Sequence, residues 1–449
     1  MARSQTVFVC SACGGESPKW QGQCPACAEW NSLSRLTGVA IKAASRPLAP
    51  AAVGQTLAGT AAERFSLGLG ELDRVVGGGM TGGSVCLLGG EPGIGKSTLL
   101  LQVAAAVSGT HPVLYASGEE SVAQTTLRAQ RLGLAPEKLG VVSSSALEEI
   151  LALASARQVQ LLLIDSIQTM QSELAEGPPG SLAQLRECTA SLVRFAKHAG
   201  CAIIIVGHVT KDGAIAGPKL LEHLVDTVLY FESDAASRFR IVRATKNRFG
   251  AANELGFFAM GEAGLQEVKN PSSMFLSRRS EPVPGSVVMV ARDGGRPLLL
   301  EVQALVDHAR ATMPRRVAQG LDANRLSMLL AVLSRHAGVA LADFDVFVNL
   351  VGGLQIGETA TDLPLALALV SSLRGIALPA QLVVFGELGL TGEVRPVAHG
   401  EERVRELAKQ GYRRVILPRQ NLPRGLASER LELVAVDSIA AAIEAAFQA

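Results

Sequence analysis

The chain predicts an α/β protein in three parts, and three observations carry that expectation. Four cysteines crowd into the first 27 of 449 residues, short apolar runs alternate with helical patterns from about residue 65 to 268, and the composition shifts after Asn270-Pro271, beyond which strands and helices mix again. With 48% hydrophobic and 18% charged residues, the composition is that of a folded globular chain and excludes a disordered one. The 42 Lys and Arg nearly cancel the 41 Asp and Glu, so any contact with a polyanion must be local. No run approaches the roughly 18 apolar residues that a membrane helix needs. The N-terminal Met1-Ala2-Arg3-Ser4-Gln5 lacks the apolar stretch of a signal peptide, and the expectation is a cytoplasmic protein without a membrane partner.

The first part, residues 1–30, holds Cys10-x-x-Cys13 and Cys24-x-x-Cys27 together with both tryptophans, Trp20 and Trp30. A unit this short does not fold on apolar burial alone. Gly14, Gly15, Gly22 and Pro25 permit the tight turns that aim four thiolates at one point, where tetrahedral Zn²⁺ is the natural occupant. A redox pair or two disulfides is the alternative that a reducing compartment disfavours. Four protein ligands would close the site, which points to structure and docking rather than catalysis. Residues 31–62, rich in Ala, Gly, Pro and Ser, read as a flexible linker.

The second part, residues 63–275, has strands expected at 85–88, 113–116, 161–164, 202–206 and 227–231, with helices at 97–107, 122–132, 147–156 and 182–199. That rhythm belongs to a mostly parallel sheet with crossover helices. Between the first strand and helix runs Gly90-Glu91-Pro92-Gly93-Ile94-Gly95-Lys96-Ser97-Thr98, a loop of the form G-x-x-x-x-G-K-[ST]. Its glycines let backbone N–H groups turn inward around the phosphates of ATP, Lys96 reaches the β/γ oxygens, and Ser97 offers its hydroxyl to Mg²⁺. Asp165, closing an apolar strand, would orient the Mg²⁺ water shell. Glu119 and Glu120 follow strand 113–116; Glu119 is the first choice for polarising the attacking water and Glu120 the second, against the plainer reading of two carboxylates opening a helix. Lys246-Asn247-Arg248-Phe249-Gly250 places two cations just beyond a strand at 239–244, where in a ring-forming ATPase they would reach the γ-phosphate held by the next subunit. The loop after strand 202–206 carries His208 and Lys211, candidates for sensing nucleotide and contacting DNA. The third part, residues 276–449, shows strands at 287–290, 383–386 and 415–417 and helices at 324–336, 365–372 and 401–409.

Taken together, the four cysteines, the phosphate loop, Tyr115-Ala116-Ser117-Gly118-Glu119-Glu120-Ser121, Gly207-His208-Val209-Thr210-Lys211 and Lys246–Gly250 resemble the bacterial RadA (Sms) DNA-repair ATPases over nearly the whole chain. The resemblance implies a zinc ribbon, a RecA-like ATPase core and a C-terminal Lon-protease-like domain. It further implies a DNA-dependent ATPase of helicase type that forms a hexameric ring on single-stranded and branched DNA, works beside a RecA-type recombinase and promotes branch migration, with Lys246 and Arg248 acting across the subunit boundary. Its cofactors would be ATP, Mg²⁺ and Zn²⁺.

Residues 385–397 resemble the Lon protease domain, which raises peptide hydrolysis as a rival. The position of the Lon nucleophile falls on Leu365 and that of its lysine on Glu401, and neither side chain can do that chemistry. The third part is therefore expected to be a peptidase-inactive platform for ring building and duplex DNA, with Arg310, Arg315, Arg316 and Arg325 as candidate phosphate contacts. A further rival is an ATP-binding regulator resembling the clock-type relatives of the RecA fold, which would signal without moving on DNA.

Overall fold

The structure, a computed structural model, describes residues 7–10, 16–17, 19–25, 27–36, 64–134, 139–208, 220–233, 239–277, 281–293, 295–310, 313–352, 356–423 and 431–448. Cys13 and Lys211 lie outside the described residues. The chain divides into two compact units, Met1–Ala61 and Ala62–Ala449.

In the first unit the strand Val7–Cys10 is flanked by Glu16–Ser17 and Leu33–Leu36, both antiparallel to it. Cys10, Cys24 and Leu33 are buried together, with Phe8 against them. The strand Leu33–Leu36 corrects the expectation of a linker from residue 31. A hairpin of four and two residues cannot shield a core, whereas the third strand pairs with all four residues of Val7–Cys10.

The second unit carries two large sheets. The first has nine strands in the order Gly264–Glu267, Leu255–Gly261, Phe239–Asn247, Thr227–Glu232, Val85–Gly90, Ala202–His208, Leu161–Asp165, Val113–Ser117, Gly140–Ser143. The last six are mutually parallel, and the first three extend one edge in antiparallel fashion. The central strands are apolar without interruption because both faces are covered. Along Leu161–Asp165, Leu161 and Leu163 join the cluster that contains Leu99, Leu100 and Val103 of the helix Lys96–Val107. Leu162 and Ile164 join the opposite one, with Leu185, Cys188 and Leu192 of the helix Leu182–Ala199. The period of two thus places one helix layer on each face. Every parallel strand then ends at the same edge, where the phosphate loop and Asp165 lie.

The second sheet has seven strands in the order Arg316–Gln319, Phe344–Leu350, Arg296–His308, Ser286–Asp293, Leu382–Val384, Arg414–Pro418, Glu432–Val436. The helices Ala323–Ala337, Asp362–Arg374 and Ile439–Phe447 pack on one face, and Gly400–Gln410 on the other. The helix expected from Leu365 starts at Asp362, since Pro364 falls in its first turn, where a missing N–H leaves no hydrogen bond broken. Leu255, Phe257 and Phe275 belong to the same apolar cluster as Leu298, Leu300 and Leu329, so the two sheets of this unit share a core. Among the described residues no helix is long and apolar enough to cross a membrane.

Candidate active site

The strand Val85–Gly90 runs straight into the loop Gly90 to Ser97. Gly95, the residue before the helix, has φ 117°, a backbone conformation that side chains disfavour, and a Cβ at Gly90 would stand 2.9 Å from the carbonyl oxygen of Phe231. The Lys96 side chain is buried and donates to the carbonyl oxygens of Gly90 and Glu91 at 2.7 and 2.8 Å. Burial lowers the pKa of this ammonium, while the carboxylates of Asp165, Glu119 and Glu91 act in the opposite direction. The loop thus holds a cation at the N-terminal end of a twelve-residue helix, an arrangement suited to phosphate. Ser97 and Thr98 open the same helix.

Asp165 ends its strand at the same edge and is buried. It accepts the Tyr115 hydroxyl at 2.5 Å, and its peptide bond to Ser166 is cis. Burial and then the charge of Asp165 push the Tyr115 phenol well above its usual range, so it remains a donor. Ser97 and Asp165 supply the hydroxyl and carboxylate oxygens that suit Mg²⁺.

The two adjacent glutamates part ways. Glu119 Oε1 accepts from Ser166 Oγ at 2.5 Å and pairs with His208 Nε2 at 3.2 Å. Burial alone would raise its pKa, but the bonds from Ser166 and His208 together with the charges of His208 and Lys96 outweigh that and hold it below the usual carboxylate value. Glu120 is instead paired with Arg128 of the helix Val122–Arg131. His208 lies level with Gly90 in the sheet register, and its Nδ1 is buried without a partner among the described residues. Sequence reasoning missed Ser166 and Arg240. The Nε of Arg240 lies 3.2 Å from the carbonyl oxygen of Ile94. Its signal was its place at the start of a strand returning antiparallel to Thr227–Glu232, whose Phe231 pairs with Gly90.

Lys246 and Arg248 sit elsewhere. Lys246 pairs with Val228, and Val228 with Leu87, three residues before Gly90. At roughly 3.3 Å per residue this is about 10 Å short of the phosphate loop, at the opposite end of the sheet. Lys246 Nζ donates to the carbonyls of Glu222 and Val225 at 2.7 and 2.8 Å, and burial followed by repulsion from Arg248 lowers its pKa. Arg248 has a side chain 58% exposed and, among the described residues, one long side-chain contact, 3.4 Å, to Asp226.

In the N-terminal unit the sulfurs of Cys10, Cys24 and Cys27 lie within 4.8 Å of one another, Cys10 and Cys27 at 3.6 Å. Two sulfurs on a tetrahedral zinc with bonds of about 2.3 Å stand about 3.8 Å apart, so the cluster has the dimensions of a zinc site.

The candidate DNA contacts divide. Arg310 is exposed. Arg315 grips Asp345 through Nε and Nη2 at 3.0 and 2.7 Å. Arg316 donates to the carbonyls of Phe344 and Leu341, and Arg325 is paired with the buried Asp362. Arg316 and Arg325 are thus committed inside the domain, a use that a lone arginine in a sequence does not reveal. Leu365 is buried, and Glu401 is tied to Arg405 one helical turn on.

Three family models match: "Rubredoxin metal binding domain" over residues 8–35, "AAA domain" over 57–214 and "Subunit ChlI of Mg-chelatase" over 307–421. The DNA repair protein RadA of Pseudomonas aeruginosa is 51% identical over 454 residues, covering 100% of both chains. Its namesake in Escherichia coli is 52% identical over 97% of both, and that of Bacillus subtilis 46% over 99% of both. A solved KaiC-like protein from Pyrococcus horikoshii aligns with 46% of this chain and 99% of its own, at 20% identity and a TM-score of 0.40.

Proposed function

We propose, from the premise that this chain belongs to the RadA family of DNA repair proteins, that it hydrolyses ATP as a DNA-dependent motor of helicase type, working as a hexameric ring on single-stranded and branched DNA and promoting branch migration of recombination intermediates. The observation that carries the reading is the split of its catalytic groups between two ends of one sheet. Lys96, Asp165 and Glu119 gather at the phosphate loop, while Arg248 stands exposed at the far end, too distant to serve its own pocket. An arginine so placed completes the site of a neighbouring subunit, which ties hydrolysis to ring assembly.

Each group then has a part. The loop N–H groups and Lys96 bind the β- and γ-phosphates, and Ser97 and Asp165 would hold Mg²⁺, which would supply charge neutralisation on the transferring phosphate. Glu119, kept deprotonated, polarises water toward the γ-phosphate, and His208 links it to the Gly-His-Val-Thr-Lys loop, where the DNA contacts His208 and Lys211 belong. A recombinase of the RecA type would supply the substrate. Zn²⁺ on the four cysteines would hold the ribbon. Residues 63–275 and 276–449 form the motor and a peptidase-inactive platform, the latter with Arg310 and the outward side of Arg315 available to DNA.

The deciding experiment measures ATPase rate with and without single-stranded DNA on assembled and monomeric fractions. Stimulation confined to the assembled fraction is expected. A rate indifferent to DNA would favour an ATP-binding regulator, and digestion of casein would revive the protease.

A further inference from the structure

Asp226 has no role in the chemistry described so far, yet three elements converge on it. Its side chain is 5% exposed. One carboxylate oxygen accepts the Val85 N–H at 3.1 Å and the Lys197 ammonium at 2.8 Å; the other faces Arg248 Nη1 at 3.4 Å. Its backbone joins in as well: its N–H donates to the Val85 carbonyl, and its own carbonyl accepts from the Arg248 N–H. The nucleotide-binding strand, the end of the helix Leu182–Ala199 and the Lys246–Gly250 turn are thereby fastened at one point.

We propose that Asp226 is a positioning residue for ATP hydrolysis: fastened to Val85 and Lys197, it holds the turn that carries Arg248 through its backbone carbonyl and steadies the guanidinium with its carboxylate, so that Arg248 is presented to the phosphate of a neighbouring subunit with this contact still in place. The inference rests on the reading that Arg248 acts in trans. An arginine carries about 2 kcal/mol of rotamer entropy, and a tether lowers the part of that cost incurred in the transition state. The contact engages Nη1, which leaves the other guanidinium donors for a phosphate. Lys197, closer than Arg248, keeps the nearly buried carboxylate paired and in place.

The test is a double-mutant cycle on the full-length chain with single-stranded DNA, comparing wild type, Asp226→Asn, Arg248→Ala and the double variant. Asp226→Asn keeps an oxygen for the Val85 N–H. It should lower kcat by about 10²-fold, the scale of a misplaced catalytic group, with little change in KM for ATP. In the Arg248→Ala background it should have no further effect. Asp226→Asn chains mixed with Lys96→Ala chains should regain hydrolysis, because an intact pocket then borders an intact finger. Should Asp226→Asn not fold, Asp226→Ser carries the same comparison. A loss that adds to that of Arg248→Ala, or one that mixing does not repair, overturns the inference and leaves Asp226 a packing residue. Wild-type turnover in Arg248→Ala would instead refute the trans reading beneath it.

Discussion

Glu119 shows how far a single residue could be read. Two consecutive glutamates after a strand are indistinguishable by spacing, and the preference for Glu119 becomes physical only through partners far away in sequence: Ser166 and His208 for Glu119, Arg128 for Glu120. The phosphate loop is written in consecutive residues, and the strand and helix expected on either side of it are present. Since bonds from Ser166 and His208 hold the Glu119 carboxylate below its usual value of 4.5, as the proposed base it should stay ionised throughout the neutral range, with activity lost only as pH falls through that depressed value. His208→Ala removes one hydrogen bond and one charge, both of which lower the pKa, so the carboxyl rises. The acid limb of kcat against pH should therefore move to higher pH in His208→Ala. An unmoved limb would show that Glu119 is not the titrating base.

At the scale of elements, the parallel strands were legible because continuous apolar runs report burial on both faces, as in Leu161–Asp165. The antiparallel edge Leu255–Gly261 and Gly264–Glu267 and the long strand Arg296–His308 were not, since their pairing is set by partners and not by local pattern. The partners of the arginines are set in the same way. Arg325 joins the helix Ala323–Ala337 to Asp362 at the start of Asp362–Arg374, and Asp362 is almost fully buried. Removing one partner of such a pair costs about 3 to 5 kcal/mol. Arg325→Ala should accordingly lower the denaturant midpoint strongly while leaving the salt dependence of DNA affinity unchanged; a slope reduced by about one unit would return Arg325 to the phosphate contacts. In the ribbon, Cys24→Ser with Cys27→Ser leaves too few thiolates for zinc. Metal content should fall from about one ion per chain to near zero, with the ATPase intact. An unmodified protein free of zinc by elemental analysis refutes the site.

For the whole molecule, the decisive feature is the shared core of the second unit. Charge and composition suggested a boundary near residue 275, and Phe275 sits there with its ring edge-on to Phe257 of the ATPase sheet, centroids 5.9 Å apart. Both rings belong to the cluster built around the C-terminal sheet. An ion pair crosses the same seam, Arg296 to Glu71 at 3.0 Å, and Glu71 in turn pairs with Arg74, which also holds Glu254 at 2.6 Å. A composition shift marks a change of sheet, but it does not report whether the faces on either side of it are buried together. Phe275→Ala empties the seam and, by the usual cost of a buried phenylalanine, should destabilise by about 3 to 5 kcal/mol. Because the cavity opens between the sheets, the loss should be felt by both. Far-UV circular dichroism and nucleotide-analogue binding, followed together through a urea titration, should fall in one coincident transition in the wild type and shift together in Phe275→Ala. Separate transitions in the wild type would mean that the ATPase sheet folds without the C-terminal one. Coincident transitions would make the C-terminal sheet part of the stability of the ATPase sheet, as their shared apolar cluster implies.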